Sequence, residues 1–241
     1  MNLLALDTST DTLSVAVQKG SGEVLERSAP GGAHSSTTLI PLIRTLMKEA
    51  QFSFDDLDLI AFGRGPGSFT GLRTACSVAQ GLAFGARKGQ GVPVLPVDSL
   101  LAVAETARAQ TAPGQGLTQV HAVLDARMDE VYAGAYAWDT VAGRWSSLGD
   151  FNLLAPQRLV VEAGFIVAGN AKAAYGDRLA PQAPHLHALP TASAMLRLVP
   201  ALLAQGLAVP ASEALPLYIR DKVAQTTAER EEAKRLAQAN Q

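Results

Sequence analysis

The sequence has one cysteine, Cys76, in 241 residues, so no disulfide can form within the chain, and a reducing compartment fits. No charge sign dominates. Lys and Arg number 20 against 22 Asp and Glu, a net charge of −2, so contact with nucleic acid would need a basic partner or a local patch. The opening MNLLALDTSTD has no basic residue before its apolar run and meets an acid at Asp7, which makes it a poor signal peptide. No apolar run approaches the roughly 20 residues of a membrane span. The expected setting is cytoplasmic, without membrane. The histidines are His34, His121, His185 and His187, and none stands four residues from another, the spacing of a helical metal pair. What the chain does have is apolar content, 48% against 17% charged, enough for a substantial core in one large domain or two small ones.

Along the chain, Leu3–Asp7, Leu13–Gln18 and Glu23–Ser28 read as two or three antiparallel strands. A first helix is expected over 35–50, where Leu39, Leu42, Ile43 and Leu46 recur at intervals of three and four, with Pro41 at a kink or near the start. A buried strand over 57–63 leads to a second helix over 70–87, capped by Ser68 or Thr70. A short strand over 92–97 and a third helix over 99–110 follow. TAPGQGLT at 111–118, with two glycines and a proline in eight residues, reads as a linker or a lobe boundary. Beyond it come a hairpin over 119–125 and 130–138, a short helix over 156–163, a strand over 165–169 and a helix over 191–205. The expected order is βββαβαβα, then a reduced hairpin, helix, strand and helix.

The stretch AFGRGPGSFTGLRTA at 61–75 sits between strand and helix, where phosphate-binding loops occur. It has no lysine between Lys48 and Lys88, so it is not a P-loop. The dinucleotide fingerprint fails because its sixth place is Ser68 or Thr70. A nucleophile elbow fails because Ser68 has Gly67 directly before it and Phe69 after. Read from residues alone, Gly65, Pro66 and Gly67 shape a turn and Ser68 caps a helix. That helix has small residues at intervals of four, Ala75, Ala79 and Ala83, with Cys76 nearby. Small residues let a second helix approach closely; packing on the protein's own sheet accounts for one such face. Ile40 and Met47 extend the apolar surface of the first helix, and together the two helices suggest a docking face.

Asp7 ends one expected strand and is followed by Thr8, Ser9 and Thr10; Asp125 ends another. Acids placed so could hold a cation and phosphate between lobes, or could act as turn residues. Val167–Asn170 ends a strand in Gly169, which permits close backbone approach.

This order resembles the ASKHA superfamily (actin, sugar kinases and the Hsp70 ATPase), in which each of two lobes opens with an acid-bearing hairpin and nucleotide lies in the cleft. LALDTSTDTLSVAV resembles the first phosphate hairpin, VLDARMDEVYAGAY the second and VAGNA the adenosine segment. More narrowly, LALDTST at 4–10, His34-x-x-x-x-Leu-x-Pro, GRGPGSFTGLR at 63–73, AQGLAFG at 79–85, LDARMDEVYAGAY at 124–136 and PLYIRDKVA at 216–224 resemble the TsaB (YeaZ) family over nearly the whole chain. The resemblance implies an α/β, two-lobed ASKHA-like fold of mixed sheets flanked by helices. It places an N-terminal lobe with a helix-pair docking face over 1–110, a smaller C-terminal lobe over 111–222 and a charged tail over 223–241.

The same resemblance implies a non-catalytic subunit in tRNA threonylcarbamoyladenosine (t6A) synthesis. It docks and stabilises a TsaD-type transferase, helps recruit a TsaE-type ATPase, meets tRNA only through that complex and forms a homodimer when the partner is absent. The implied interface comprises Leu39, Leu42, Ile43, Leu46, Gly65, Pro66, Ser68, Phe69, Thr70, Arg73, Cys76, Ala79 and Ala83. The implied vestigial nucleotide cleft comprises Asp7, Thr8, Ser9, Asp125, Gly169 and Asn170. No catalytic residue, metal or resident cofactor is implied, and ADP or ATP is admitted only at the interface with the transferase. Two departures separate the chain from the catalytic relatives. Thr38 stands where the second histidine of a metal pair would be, and Ala126-Arg127 follow Asp125 where active members have glycine. The alternatives are a free-standing ASKHA kinase or ATPase and, less favoured, a metallopeptidase.

Overall fold

A computed structural model describes residues 1–111 and 116–220. The tail expected over 223–241 and the middle of the 111–118 boundary lie outside the described residues. The first sheet has strand order β3-β2-β1-β4-β5, with β1 at Leu3–Asp7, β2 at Thr12–Gln18, β3 at Val24–Pro30, β4 at Leu59–Gly65 and β5 at Val94–Asp98. β1, β2 and β3 pair antiparallel, whereas β4 and β5 run parallel to β1. Helices α1 (Ser35–Glu49), α2 (Phe69–Gly89) and α3 (Ser99–Gln110) complete the βββαβαβα order expected from periodicity.

Both faces of this sheet are covered, and the alternation of side chains sorts them. Leu4, Leu6, Val15, Ile60, Phe62 and Val94 point toward α1 and α2. Leu3, Ala5, Ala16, Leu59, Ala61, Leu95 and Val97 point the other way, toward α3 and α5 (Ala192–Ala204). The second sheet has order β11-β10-β6-β7-β8, with β9 also on β7. Its strands are β6 (Gln119–Arg127), β7 (Glu130–Asp139), β8 (Arg144–Ser147), β9 (Asn152–Leu154), β10 (Ile166–Gly169) and β11 (His185–His187). It turns Val120, Ala122, Leu124, Tyr132 and Tyr136 into the same cluster as α3 and α5. One apolar core therefore joins the two sheets through α3 and α5. α5 is drawn onto the first sheet by Glu26 of β3, which accepts the Ser193 N–H at 2.9 Å and its hydroxyl at 2.8 Å. A carboxylate at a helix N-terminus meets unpaired N–H groups and the positive end of the dipole. The chain passes from the first sheet to the second between β5 and β6, with α3 packed on both, while α5 and the segment after it return to the first sheet.

Several local expectations are corrected. Residues 156–163 form only one tight turn, Pro156–Arg158, and not a helix, because Pro156 starts a turn that no apolar period continues. Of the two places expected for Pro41, within the first helix or near its start, the structure has it inside α1. Ser68 precedes α2, but its side chain makes no cap bond. Three short strands, β8, β9 and β11, and the one-turn helix α4 (Ala171–Tyr175) carry too few residues for a period to register.

Candidate functional site: the hairpin turns and the outer face of α1 and α2

The glycine loop after β4 is built around the turn after β1. Asp7 is fully buried, and its Oδ1 accepts the Ser9 N–H at 2.8 Å and the Ser9 hydroxyl at 2.7 Å, while Oδ2 accepts the Ser99 hydroxyl at 3.3 Å. Burial pushes the Asp7 carboxyl up to about 6, partly offset by the bonds from Ser9 and Ser99. The Thr8 hydroxyl donates to the Gly71 carbonyl at 2.6 Å, and the Ser68 N–H donates to the Ser9 carbonyl at 2.8 Å. The two backbones lie so close that a β-carbon at Gly67 would sit 2.5 Å from the Ser9 oxygen. At Gly63 it would sit 1.8 Å from Asp7 Oδ2. Gly65 holds φ at +118° beside the Leu217 carbonyl, a conformation open to glycine alone without strain. GRGPGSFTG is thus a packing loop whose glycines make room for the TST turn.

The turn after β6 is closed in a comparable way. Asp125 Oδ1 accepts the Tyr175 hydroxyl at 2.7 Å and the Arg127 N–H at 2.8 Å. Its Oδ2 lies 3.1 Å from Arg127, which also pairs with Asp11 across the cleft. Burial and then the bond to Asp125 push the Tyr175 phenol up to about 12. Asn170 Oδ1 accepts the Asp125 N–H at 2.9 Å. Gly169 has its close approach to the Val123 carbonyl of the neighbouring strand, where a β-carbon would lie at 1.7 Å. Ser9, Asp125 and Asn170 line one interlobe cavity of about 260 Å³; Asp7, Thr8 and Gly169 do not reach it.

The helix pair corrects the sequence-derived interface. Leu39, Ile43 and Leu46 of α1 and Cys76, Ala79 and Ala83 of α2 are all buried in the core against the first sheet. Met47, expected beyond the buried stripe, is buried too, and Leu42 is half-buried. Gly65 and Pro66 are buried in the loop. The small-residue stripe of α2 faces inward because the chain's own sheet approaches it closely. The flank at Cys76 is further covered by the returning segment: the thiol donates to the Ala214 carbonyl at 3.3 Å, and Gln80 donates to Ala211 and Ala214 at 3.2 and 3.1 Å. Burial also pushes the Cys76 thiol up.

Ser68, Thr70 and Arg73 are exposed and Phe69 is half-buried, so this part of the expected set is accessible. The outward stripes are different residues. On α1 they carry Ile40, 43% exposed, with Pro41 and Arg44; on α2 they carry Ser77, Gly81, Phe84 and Gly85, with Phe84 57% exposed. A β-carbon at Gly81 or Gly85 would meet nothing within 4 Å. Sequence reasoning named Ile40 but missed Gly81 and Phe84. The signal was present: Ser77, Gly81 and Phe84 also follow helical spacing, on the face opposite Ala79.

His34 of the expected metal comparison is exposed with Thr38 four residues on. Among the described residues, no three His, Cys, Asp or Glu side chains converge as metal donors. His121 instead pairs with Glu162 at 2.7 Å, and His185 contacts the Ala180 carbonyl at 3.0 Å. Among the described residues, no helix is long and apolar enough to cross a membrane.

Two mixed sheets, each with an acid at the turn of its leading hairpin, and a cleft between them define an ASKHA-like α/β protein. A family profile described as "TsaD: tRNA N6-adenosine threonylcarbamoyltransferase" matches residues 28–228. The tRNA threonylcarbamoyladenosine biosynthesis protein TsaB of Escherichia coli (strain K12) is 32% identical over 233 residues, covering 93% of this chain and 96% of that protein. Its counterpart in Haemophilus influenzae is 31% identical, covering 92% and 95%. The solved structure of YeaZ from Pseudomonas aeruginosa superposes with a TM-score of 0.79 at 38% identity, covering 90% of this chain and 99% of that one. The chain belongs to the TsaB (YeaZ) family.

Proposed function

We propose that this chain is a non-catalytic subunit in tRNA threonylcarbamoyladenosine biosynthesis, docking and stabilising a TsaD-type transferase through the outward faces of α1 and α2. The observation that carries the docking face is the pair of exposed apolar side chains, Ile40 and Phe84, on adjacent helices beside the open positions Gly81 and Gly85. Fully covering a side chain of this size is worth about 1.5–3 kcal/mol. Glycine on an exposed helix face is otherwise unfavourable by about 1 kcal/mol against alanine, and it leaves space for a partner helix.

The non-catalytic reading is supported by the hairpin acids. Asp7 is sealed beneath the TST turn, and Asp125 is committed to Tyr175 and Arg127. The groups a free-standing kinase or ATPase of this fold would turn toward metal and phosphate are engaged within the chain. In this reading a TsaE-type ATPase joins the assembled pair, tRNA is met only through the complex, ADP or ATP is held only at the interface with the transferase, and two copies of this chain pair when the transferase is absent. The test is co-purification of the full chain with the TsaD-type protein of its own organism. A stable complex supports the reading; two proteins that elute separately, with and without ADP or ATP, overturn it.

A further inference from the structure

The turn joining β6 to β7 places three successive non-glycine residues in the left-handed region, Arg127, Met128 and Asp129, with φ of 62°, 56° and 62°. Each such residue costs about 1–2 kcal/mol, so the turn keeps this shape only if its surroundings impose it. One restraint comes from far along the chain. Arg220 is 14% exposed at its side chain, and it donates to Glu130 at 2.6 Å, to the Ala126 carbonyl at 3.2 Å and to Met128 Sδ at 3.0 Å. It therefore grips the strained turn from both sides.

The residues just before Arg220 grip the other lobe. The Leu217 N–H donates to the Arg64 carbonyl at 2.7 Å, at the entry to the glycine loop. The Tyr218 ring packs on Phe69 with centroids 5.2 Å apart, and its hydroxyl accepts from Arg73 Nε at 3.1 Å. Arg73 in turn lies 3.8 Å over the Phe69 ring. Four residues, 217–220, thus connect the first turn of α2 to the left-handed turn and form one wall of the interlobe cavity. We propose that residues 217–220 are a latch between the lobes, whose release relaxes the 127–129 turn and frees the start of α2 in one step. Tyr218 and Arg220 touch different lobes, so a latch couples two places that share no direct bond through either residue alone. A passive surface segment would not.

Hydrogen–deuterium exchange on the full chain separates these cases. Arg220→Gln and Tyr218→Ala are compared with the parent and with Arg27→Gln, which removes an exposed surface pair remote from the latch. The latch predicts that each variant raises exchange about tenfold in both the 124–132 and the 64–73 segments, the size expected from losing a charge-assisted bond or an anchoring ring, while β1 and β4 amides up to residue 62 stay protected. Arg220→Lys, which keeps the charge, restores part of the protection at 124–132. The proposal is overturned if each variant loosens only the segment it touches, if neither segment changes, or if β1 and β4 exchange faster as well.

Discussion

Thr8 and Gly71 are locked face to face: the Thr8 hydroxyl donates to the Gly71 carbonyl at 2.6 Å, and a β-carbon on Gly71 would lie 1.8 Å from the Thr8 carbonyl oxygen. Both atoms in the second approach belong to backbone or to Cβ, so no side-chain rotation relieves it. The first turn of α2 is thereby fixed against the turn after β1, and the direction of the whole helix follows from that contact.

Gly71→Ala and Gly81→Ala consequently differ in sign although both lie in α2. Gly81 faces open space, so alanine there raises stability by about 1 kcal/mol through helix propensity. At Gly71 the same change forces backbone apart and costs about 3 kcal/mol. Urea denaturation of the two variants checks both directions. A neutral or stabilising Gly71→Ala would contradict the packing assigned to this loop.

Asp7 predicts a pH dependence of unusual sign for a carboxylate. Its folded value of about 6 lies above its ordinary 3.8, so the native state holds the proton more tightly than the unfolded chain. The associated stability is fully present below about pH 4 and is lost as pH rises from 4 to 6, amounting to about 3 kcal/mol. Asp7→Asn keeps an oxygen for the two Ser9 bonds and offers an amide to the Ser99 hydroxyl. The variant is expected to gain on the parent between pH 4 and pH 7, as read from paired denaturation curves. Parallel curves would contradict the assignment.

Glu105 carries the opposite sign. It is 1% exposed, and accepts from Arg108 at 2.8 and 2.9 Å, from Arg197 at 2.8 Å and from Trp145 at 3.0 Å, tying α3 to α5 and β8. Burial opposes its ionisation, but the bonds from Arg108, Trp145 and Arg197 outweigh it and hold the carboxyl below its usual 4.5. Its stabilisation is present above about pH 4.5 and is lost as pH falls through the folded value. Glu105→Ala leaves the Trp145 N–H without its partner and unties α3 from α5, while Arg108 and Arg197, 32% and 39% exposed, turn to solvent; the expected cost is about 1.5–3 kcal/mol at pH 7. A Tm unchanged at neutral pH would contradict the role.

The first eight elements were legible because each buries a regular face: Leu4 and Leu6 alternate with Leu3 and Ala5, and Leu39, Ile43 and Leu46 keep a helical period. The motifs around Asp7 and Asp125 also marked the two hairpin turns. What periodicity could not supply was the covering partner of each face. Ala75, Ala79 and Ala83 read as a surface for another helix, but their small size reflects how near the protein's own sheet lies. The segment PASEALPLYIR at 210–220 has no period at all, yet it seals the flank at Cys76 and Gln80. That closure depends on backbone carbonyls of Ala211 and Ala214, which carry no signature in a side-chain pattern.

The docking role proposed for the outward face of α1 and α2 is tested most directly by Phe84→Arg, measured as co-elution of the full chain with the proposed partner, the TsaD-type transferase of its own organism. Phe84 is 57% exposed, so the substitution leaves the Tm and the circular dichroism spectrum of the isolated chain unchanged. Losing the burial of that remaining surface at the proposed interface, about 1–2 kcal/mol, weakens the complex about five- to thirtyfold, and the two proteins then elute apart. A folded Phe84→Arg chain that still co-elutes with the transferase at parental affinity would contradict the account.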